Sequence, residues 1–242
     1  MHKIISIIAF FLLSTFAAFA DQGAVEINLG AFYSHKRIWR GALIWNAPTL
    51  MAGPSFTFFN HVTIAGPNLT FFHEIQKGNK VSLGASYFED NEPNGPVVKF
   101  KSQEEDYKNT RSATIDTFIK YEYRYKWFFN TSIEYHKDVK RSEGSYSYIE
   151  FATNLIPFIG VGVGQGFGDR DNNQYVYGTG AVGGMTHTEY FVSYFKKELI
   201  WDGNLLLKYS HSKINKKTNI QADRIRGNGS QDQFTAGIFW KF

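Results

Sequence analysis

The chain has 242 residues, with 26 Lys and Arg against 22 Asp and Glu, so its formal net charge is only +4. This small excess of positive charge argues against a nucleic-acid-binding protein, and the absence of Cys excludes disulfide and thiolate chemistry. Aromatic residues make up 17% of the chain, alongside 22 Gly and 6 Pro, a composition that favours strands joined by turns.

The first twenty residues have the pattern of a secretory signal peptide. Lys3 supplies a positive amino-terminal region, residues 4–16 are apolar, and Ala18, Phe19 and Ala20 form a small-residue cleavage motif. The apolar stretch is short for a membrane-spanning helix, and no later segment approaches ~18 consecutive apolar residues. We therefore expect residues 1–20 to be removed on export and residues 21–242 to form one domain.

Pairs of alternating segments recur along the chain. Residues 115–123 and 129–135 both alternate apolar and polar side chains across a short connection, as two strands of a hairpin do. Long polar loops and short turns then succeed one another. The expected long loops are residues 89–111, 137–144, 168–184 and 212–230, and the expected short turns are residues 76–79, 125–127, 154–157 and 196–203.

The last twelve residues form the clearest single strand. Four apolar side chains share one of its faces: Phe234, Ile238, Trp240 and Phe242. Thr235 and Lys241 fall between them, on the opposite face. A final strand that is apolar outside, polar inside and aromatic at its end is typical of an outer-membrane barrel. We expect this strand to close the barrel and to be recognised by the barrel-assembly machinery.

The predicted fold is therefore all-β, a transmembrane antiparallel up-and-down β-barrel in the outer membrane, surrounded by lipid. The alternation of long loops and short turns fits about twelve strands, or ten if residues 49–65, which include Pro54, are irregular. A secreted β-sandwich or a lipocalin-like barrel would use the same period of two. Aromatic residues near strand ends favour the membrane barrel, since they suit the two interfaces. They are Tyr125, Trp127, Phe128, Phe195, Trp201 and Trp240.

The end of the chain resembles the MltA-interacting protein (MipA/OmpV) family of outer-membrane barrels. The resemblance rests on Trp201 leading a strand, on the loop from Ala222, Asp223 and Arg224, and on the closing strand from Gln233. Residues 37–41, Arg-Ile-Trp-Arg-Gly, are similar to the opening of that family. Arg224 departs from the family pattern, which has Ser-Pro at this point. The resemblance implies a non-enzymatic scaffold linked to periplasmic murein hydrolases and synthases, and it supplies no matched functional residues.

Charged residues of both signs fall on the predicted lumen face of one hairpin. They are Asp116, Lys120, Glu122, Arg124, Glu134 and His136. Buried charges are costly unless they pair or stay hydrated, so we expect an ion-pair network across the lumen. Such a network would narrow the barrel rather than line an open pore.

Catalytic motifs are weak, and no metal or cofactor motif is present. His211 and Ser212 suggest a lipid A-modifying barrel enzyme, but adjacent strand residues point to opposite faces. The glycine run at residues 160–166 lacks the strand–loop–helix context of a phosphate loop, so we interpret it as a small-residue lumen face. We expect a non-enzymatic barrel without cofactor. A small-solute channel is the alternative to the scaffold, and a lipid A-modifying enzyme is the least favoured reading.

Overall fold

The structure, a computed structural model, describes residues 25–45, 48–88, 114–140, 142–178, 180–200, 202–215 and 229–242. Twelve antiparallel strands close into a barrel, which confirms the predicted fold and the higher of the two expected strand numbers. The barrel closes at its first strand, β1 (Val25–Ser34), in which Leu29 lies opposite Trp240 of the last strand and opposite Pro54 of the next barrel strand. The predicted signal peptide, the loop at residues 89–111 and Trp201 lie outside the described residues.

The described elements comprise the barrel strands, one separate hairpin and one helix. The barrel strands are β1 (Val25–Ser34), β4 (Thr49–Phe58), β5 (Val62–Ala65), β6 (Asn68–Gln76), β7 (Asn79–Phe88), β8 (Thr114–Tyr125), β9 (Phe129–Asp138), β10 (Ser145–Ile156), β11 (Ile159–Gly168), β12 (Gly184–Ile200), β13 (Gly203–Ile214) and β14 (Ser230–Lys241). The hairpin pairs β2 (Arg37–Trp39) with β3 (Ala42–Trp45), and the helix is α1 (Arg170–Tyr177).

Three loop predictions need correction. Residues 168–184 contain α1, because Asp169 caps the helix by accepting a 2.9 Å hydrogen bond from the backbone N–H of Asn172. Strand β12 continues to Ile200, although a turn was expected from residue 196. The pairing with β13 shifts register after Lys196 and resumes at Ile200, which lies opposite Gly203. Strand β13 likewise continues to Ile214, past the loop start expected at residue 212.

The outer face of the barrel is apolar. Ile133 on β9 is 51% exposed and lies between Tyr121 of β8 and Ile149 of β10. At the end where the short turns lie, Tyr125 and Trp127 are exposed as expected of interfacial aromatics. None of the helices in the described part of the chain is long and apolar enough to cross a bilayer.

Phe195 is an exception to the predicted aromatic belt. Its ring stacks on the ring of Phe239 at a centroid distance of 6.0 Å and an interplanar angle of 20°. Phe239 pairs with Gly30 in a register that places it on the lumen side, with Phe32 two residues along. Phe195 therefore packs inside the barrel rather than facing lipid.

Ile133→Arg tests the assignment of the outer face. We expect the free energy of unfolding in lipid vesicles to fall by about 2–4 kcal/mol, because an arginine near the bilayer midplane must be stripped of water. Urea titration followed by tryptophan fluorescence measures this, with Ile133→Leu as the control that keeps the side chain apolar. An unchanged midpoint for the arginine variant would place Ile133 outside the hydrocarbon layer.

Candidate functional site

Strands β8 and β9 bring most of the predicted lumen network together. The Nζ atom of Lys120 lies 2.8 Å from Glu134 Oε1 and 3.4 Å from Glu122 Oε1. The Nε2 atom of His136 lies 3.2 Å from Glu134 Oε2, and Lys80 of β7 adds a 3.0 Å pair with Glu122. Their register explains the grouping, since Lys120 pairs directly with Glu134 across the ladder.

Arg124 lies apart from these residues, at the short-turn end of the barrel. It lines a cavity of about 980 Å³ together with Glu122, Lys80 and Asn130, and we call this space the vestibule. Glu122 therefore belongs both to the vestibule and to the ion-pair network. The network continues from the vestibule into the barrel through Lys120 and Glu134.

The hairpin of β2 and β3 turns on two residues, Arg40 and Gly41. Their φ angles are 50° and 78°, and Trp39 pairs with Ala42 across them, as in the tight turns that favour glycine. A Cβ atom on Gly41 would lie 2.4 Å from Cγ of His187, a residue of β12. The hairpin tip is thus pressed against the inner wall of the barrel.

Arg40 holds that tip in place. Its Nη2 atom donates a 2.6 Å hydrogen bond to Asp116 Oδ2, and its Nη1 atom donates to the side chain of Asn172 in α1. The guanidinium carbon also lies 4.4 Å from the ring centroid of Trp39 and 4.5 Å from that of Tyr146. Burial lowers the pKa of Arg40, and the Asp116 carboxylate opposes that shift, so the guanidinium stays charged.

Helix α1 packs on the same hairpin. The hydroxyl of Tyr177 donates to the backbone carbonyl of Arg40, and Val176 and Tyr177 are almost completely buried. They form an apolar cluster with Ala42 of β3 and Ile214 of β13. We call the β2–β3 hairpin and α1 together the plug, because they fill the end of the barrel opposite the short turns.

Beneath the plug lies a cavity of about 340 Å³, which we call the chamber. Four carboxylates line it, and they belong to Asp116, Glu134, Glu150 and Glu189. Three of them have cationic partners: Arg40 for Asp116, Lys120 for Glu134, and Lys208 for Glu189 at 3.1 Å. The carboxylate of Glu150 has no ion pair and no hydrogen bond within the described part of the chain, although Lys208 and Lys120 attract it at longer range. Asp116 Oδ1 has no hydrogen-bond partner there.

Aromatic rings form one wall of the chamber. The ring of His187 stacks on Tyr146 at 6.3 Å and on Tyr148 at 6.0 Å. The hydroxyl of Tyr148 also donates a 3.0 Å hydrogen bond to Glu189 Oε2. These contacts fix the orientation of the ring faces and of one carboxylate.

The glycine run of β11 makes room for these rings. A Cβ atom on Gly164 would lie 1.8 Å from the Tyr148 hydroxyl, and one on Gly166 would lie 2.6 Å from His187 Cε1. The interpretation of this run as a lumen face of small residues is confirmed. Close approach of neighbouring side chains is the reason that these strand positions are glycine.

The lipid A-modifying pair does not assemble. His211 Nδ1 lies 2.8 Å from Asp232 Oδ1, on a part of the barrel surface where both side chains are accessible. Ser212 is buried and lines the chamber on the other face of β13. The two side chains therefore point in opposite directions, as the strand period predicts. Among the described residues, no group of three His, Asp or Glu side chains is arranged to hold a metal ion.

Several chamber residues escaped sequence reasoning, above all Arg40, Tyr146, His187 and Glu189. Arg40 and Gly41 carried a usable signal, since a residue–glycine pair between apolar neighbours is typical of a tight hairpin turn. Nothing in the sequence shows that such a hairpin folds inward.

The closed antiparallel barrel with an apolar outer face defines a transmembrane β-barrel of the outer-membrane type. No protein-family model and no curated protein matches the chain. Solved structures do. An outer membrane channel from Pseudomonas putida F1 is 8% identical with a TM-score of 0.46, and the match covers 90% of this chain and 96% of that one.

Two further barrels are similar at the same level. The NanC porin is 12% identical with a TM-score of 0.44, and 90% of this chain matches 100% of that chain. The outer membrane protein OprD from Pseudomonas aeruginosa is 10% identical with a TM-score of 0.39, over 89% of this chain and 65% of that one. These likenesses concern the barrel architecture alone.

Proposed function

We propose that the protein is an outer-membrane channel for small cationic solutes, with the plug seated at its extracellular end. The observation that supports this proposal is the chamber, where four acids face three paired cations and Glu150 is the acid whose carboxylate has no ion pair among the described residues. A cleft that is lined by an excess of one charge attracts the opposite charge and raises its local concentration. The apolar outer face supports the outer membrane as the location.

The size and lining of the chamber support a small solute. A volume of about 340 Å³ lies at the lower end of the range of small-molecule sites. The half-buried ring of Tyr148 offers a further attraction to a cation, because the ring quadrupole is negative above its plane. We expect the ion-pair network to narrow the lumen between vestibule and chamber, so the proposed conductance is small.

Uptake into proteoliposomes tests this function. We expect labelled tetramethylammonium to enter several times faster than labelled methanesulfonate, which has a comparable size and the opposite charge. Glu150→Gln removes the unpaired carboxylate and should cut the ratio of the two rates. Asp202→Asn removes a negative charge from a turn outside the chamber and serves as the matched control. Equal rates for both solutes in the wild-type protein would contradict a cation channel.

The scaffold role stays a prediction of the sequence resemblance. It depends on a periplasmic surface that binds murein hydrolases or synthases, and no contact among the described residues favours it over the channel. A pull-down with detergent-extracted protein tests it directly. Recovery of neither class of enzyme would leave the channel as the account of the fold.

A further inference from the structure

Among the described residues, one side of the closed barrel has a gap in its strand pairing, between β4 and β5. Residues 49–54 of β4 pair with β1, but β5 pairs with β4 only from Ser55 to Phe58. Strand β5 has four residues, and β6 begins at Asn68, which pairs with Ser86 of β7. In the described chain, the upper half of β4 therefore has no neighbour on the β5 side, and we call this gap the notch.

The length of the notch along β4 is a large fraction of the thickness of the membrane's hydrocarbon core. Six residues of β4 extend past its last pair with β5, and at ~3.3 Å per residue they span about 20 Å along the strand. Leu50 points outward and is 73% exposed, while Met51 points to the lumen side and is still 49% exposed. A Cβ atom on Gly53, also on the lumen side, would meet no atom within 4 Å. Both faces of β4 are thus accessible here.

An unpaired strand edge within the membrane requires polar groups that can hydrogen-bond to its backbone. Every second residue of the segment directs its backbone N–H and C=O into the notch, and lipid tails cannot satisfy such groups. A second copy of the chain is a poor partner. Two barrels in one membrane are related by an axis along the membrane normal, so their tilted β4 edges would cross at roughly 70–90° and could not form a ladder.

The chamber and the notch lie at the same level of the barrel. Ser86 lines the chamber and is also the residue that pairs with Asn68 where β6 begins. Apolar side chains of the plug, Ile38 and Trp39, line the same space. A molecule arriving through the notch would leave an apolar rim formed by Leu50 and Met51 and meet an acidic, aromatic-walled cavity.

We propose that the notch is a lateral port through which an amphipathic cation with a single alkyl chain passes between the outer leaflet and the chamber. The apolar rim matches the chain, and the unpaired Glu150 matches the charged head. The head group also supplies polar contact to the open edge of β4. The preference for a cation rests on the proposed function of the chamber, whereas the port rests on the strand pairing alone.

Electron paramagnetic resonance in lipid nanodiscs tests the port. The probes are a nitroxide-labelled dodecylammonium, the matching nitroxide-labelled trimethylammonium without a chain, and nitroxide-labelled dodecanoate. For the wild-type protein we expect the spectrum of the dodecylammonium probe to contain a saturable component from immobilised nitroxide. The amplitude of this component should be at least fivefold smaller with either of the other two probes. Gly53→Trp adds bulk on the lumen side of the notch, at a position where a Cβ atom meets no neighbour within 4 Å, so it should remove this component. Ala236→Trp adds the same bulk on the outer face of β14, away from the notch, and should leave it in place.

Each other outcome overturns part of the proposal. An immobilised component that survives Gly53→Trp, or that never forms, removes the lateral port. Equal immobilisation of dodecylammonium and dodecanoate removes the preference for a cation and leaves a port for apolar chains. Tetramethylammonium uptake, measured on the same wild-type protein, reports separately whether the channel function holds.

Discussion

Arg40→Ala should unseat the plug and raise single-channel conductance in planar bilayers. The guanidinium joins the hairpin to Asp116 of β8 and to Asn172 of α1, and its side chain is only 6% exposed. Removing one partner of a buried ion pair costs about 3–5 kcal/mol, because the other charge is left uncompensated. Even about 3 kcal/mol changes the ratio of seated to unseated plug by a factor of roughly 100.

The wild-type channel should therefore show rare, small current steps, and the variant frequent, larger ones. Arg40→Lys keeps the charge but loses the planar, two-sided hydrogen bonding, so it should fall between the two. Lys197→Ala removes an exposed positive charge near the short-turn end of β12, outside both cavities, and is the matched control. A large, steady conductance in the wild-type protein would contradict a seated plug, as would identical currents in Arg40→Ala.

Gly162→Val should weaken the whole barrel. A Cβ atom at this position would lie 2.3 Å from the Phe191 ring and 2.8 Å from the backbone carbonyl oxygen of Phe151. Moving the Phe191 ring aside would disturb Lys208, whose Nζ atom lies 4.3 Å from the ring centroid and pairs with Glu189. Overpacking of this kind typically costs about 1–3 kcal/mol, and the branched side chain places this variant at the upper end.

Urea unfolding in detergent micelles, followed by tryptophan fluorescence, measures the loss. Gly53→Val is the matched control, because Gly53 is also a lumen-side strand glycine but has open space around its Cβ position. Its free energy of unfolding should stay the same or rise, since glycine weakens a strand. Equal losses in both variants would mean that strand propensity, and not packing against Phe191, explains the effect.

The barrel could be predicted from the sequence because a membrane-facing strand repeats one local rule. The period of two alone places Ile133 and Trp240 on the outer face of the barrel. The same period places Lys120 and Glu134 on the lumen face. Pro54 made the early pair look irregular, yet β4 and β5 form. Within the described residues, Pro54 lies beyond the part of β4 that pairs with β5, where a missing backbone N–H is tolerated. Local pattern and ladder register decide these features together.

The chamber could not be predicted in the same way. Arg40 reaches Asp116 only because the segment between β1 and β4 folds into the barrel, a contact across 76 positions of the chain. No periodicity reports such a contact, because it depends on the space that the closed barrel leaves free. Helix α1 was missed for a related reason. Its capping residue, Asp169, is visible in the sequence, but most of its eight residues are polar. Its apolar residues, Val176 and Tyr177, are buried only because they pack on the hairpin.

The zero-current potential across a planar bilayer with a potassium chloride gradient tests the central claim most directly, because it reports the sign of the ion that the lumen passes. The account predicts a potential set mainly by potassium, which shrinks in Glu150→Gln and keeps its sign in Arg40→Ala. A potential set by chloride in the wild-type protein would contradict a cation-selective chamber in which the carboxylate of Glu150 lacks an ion pair.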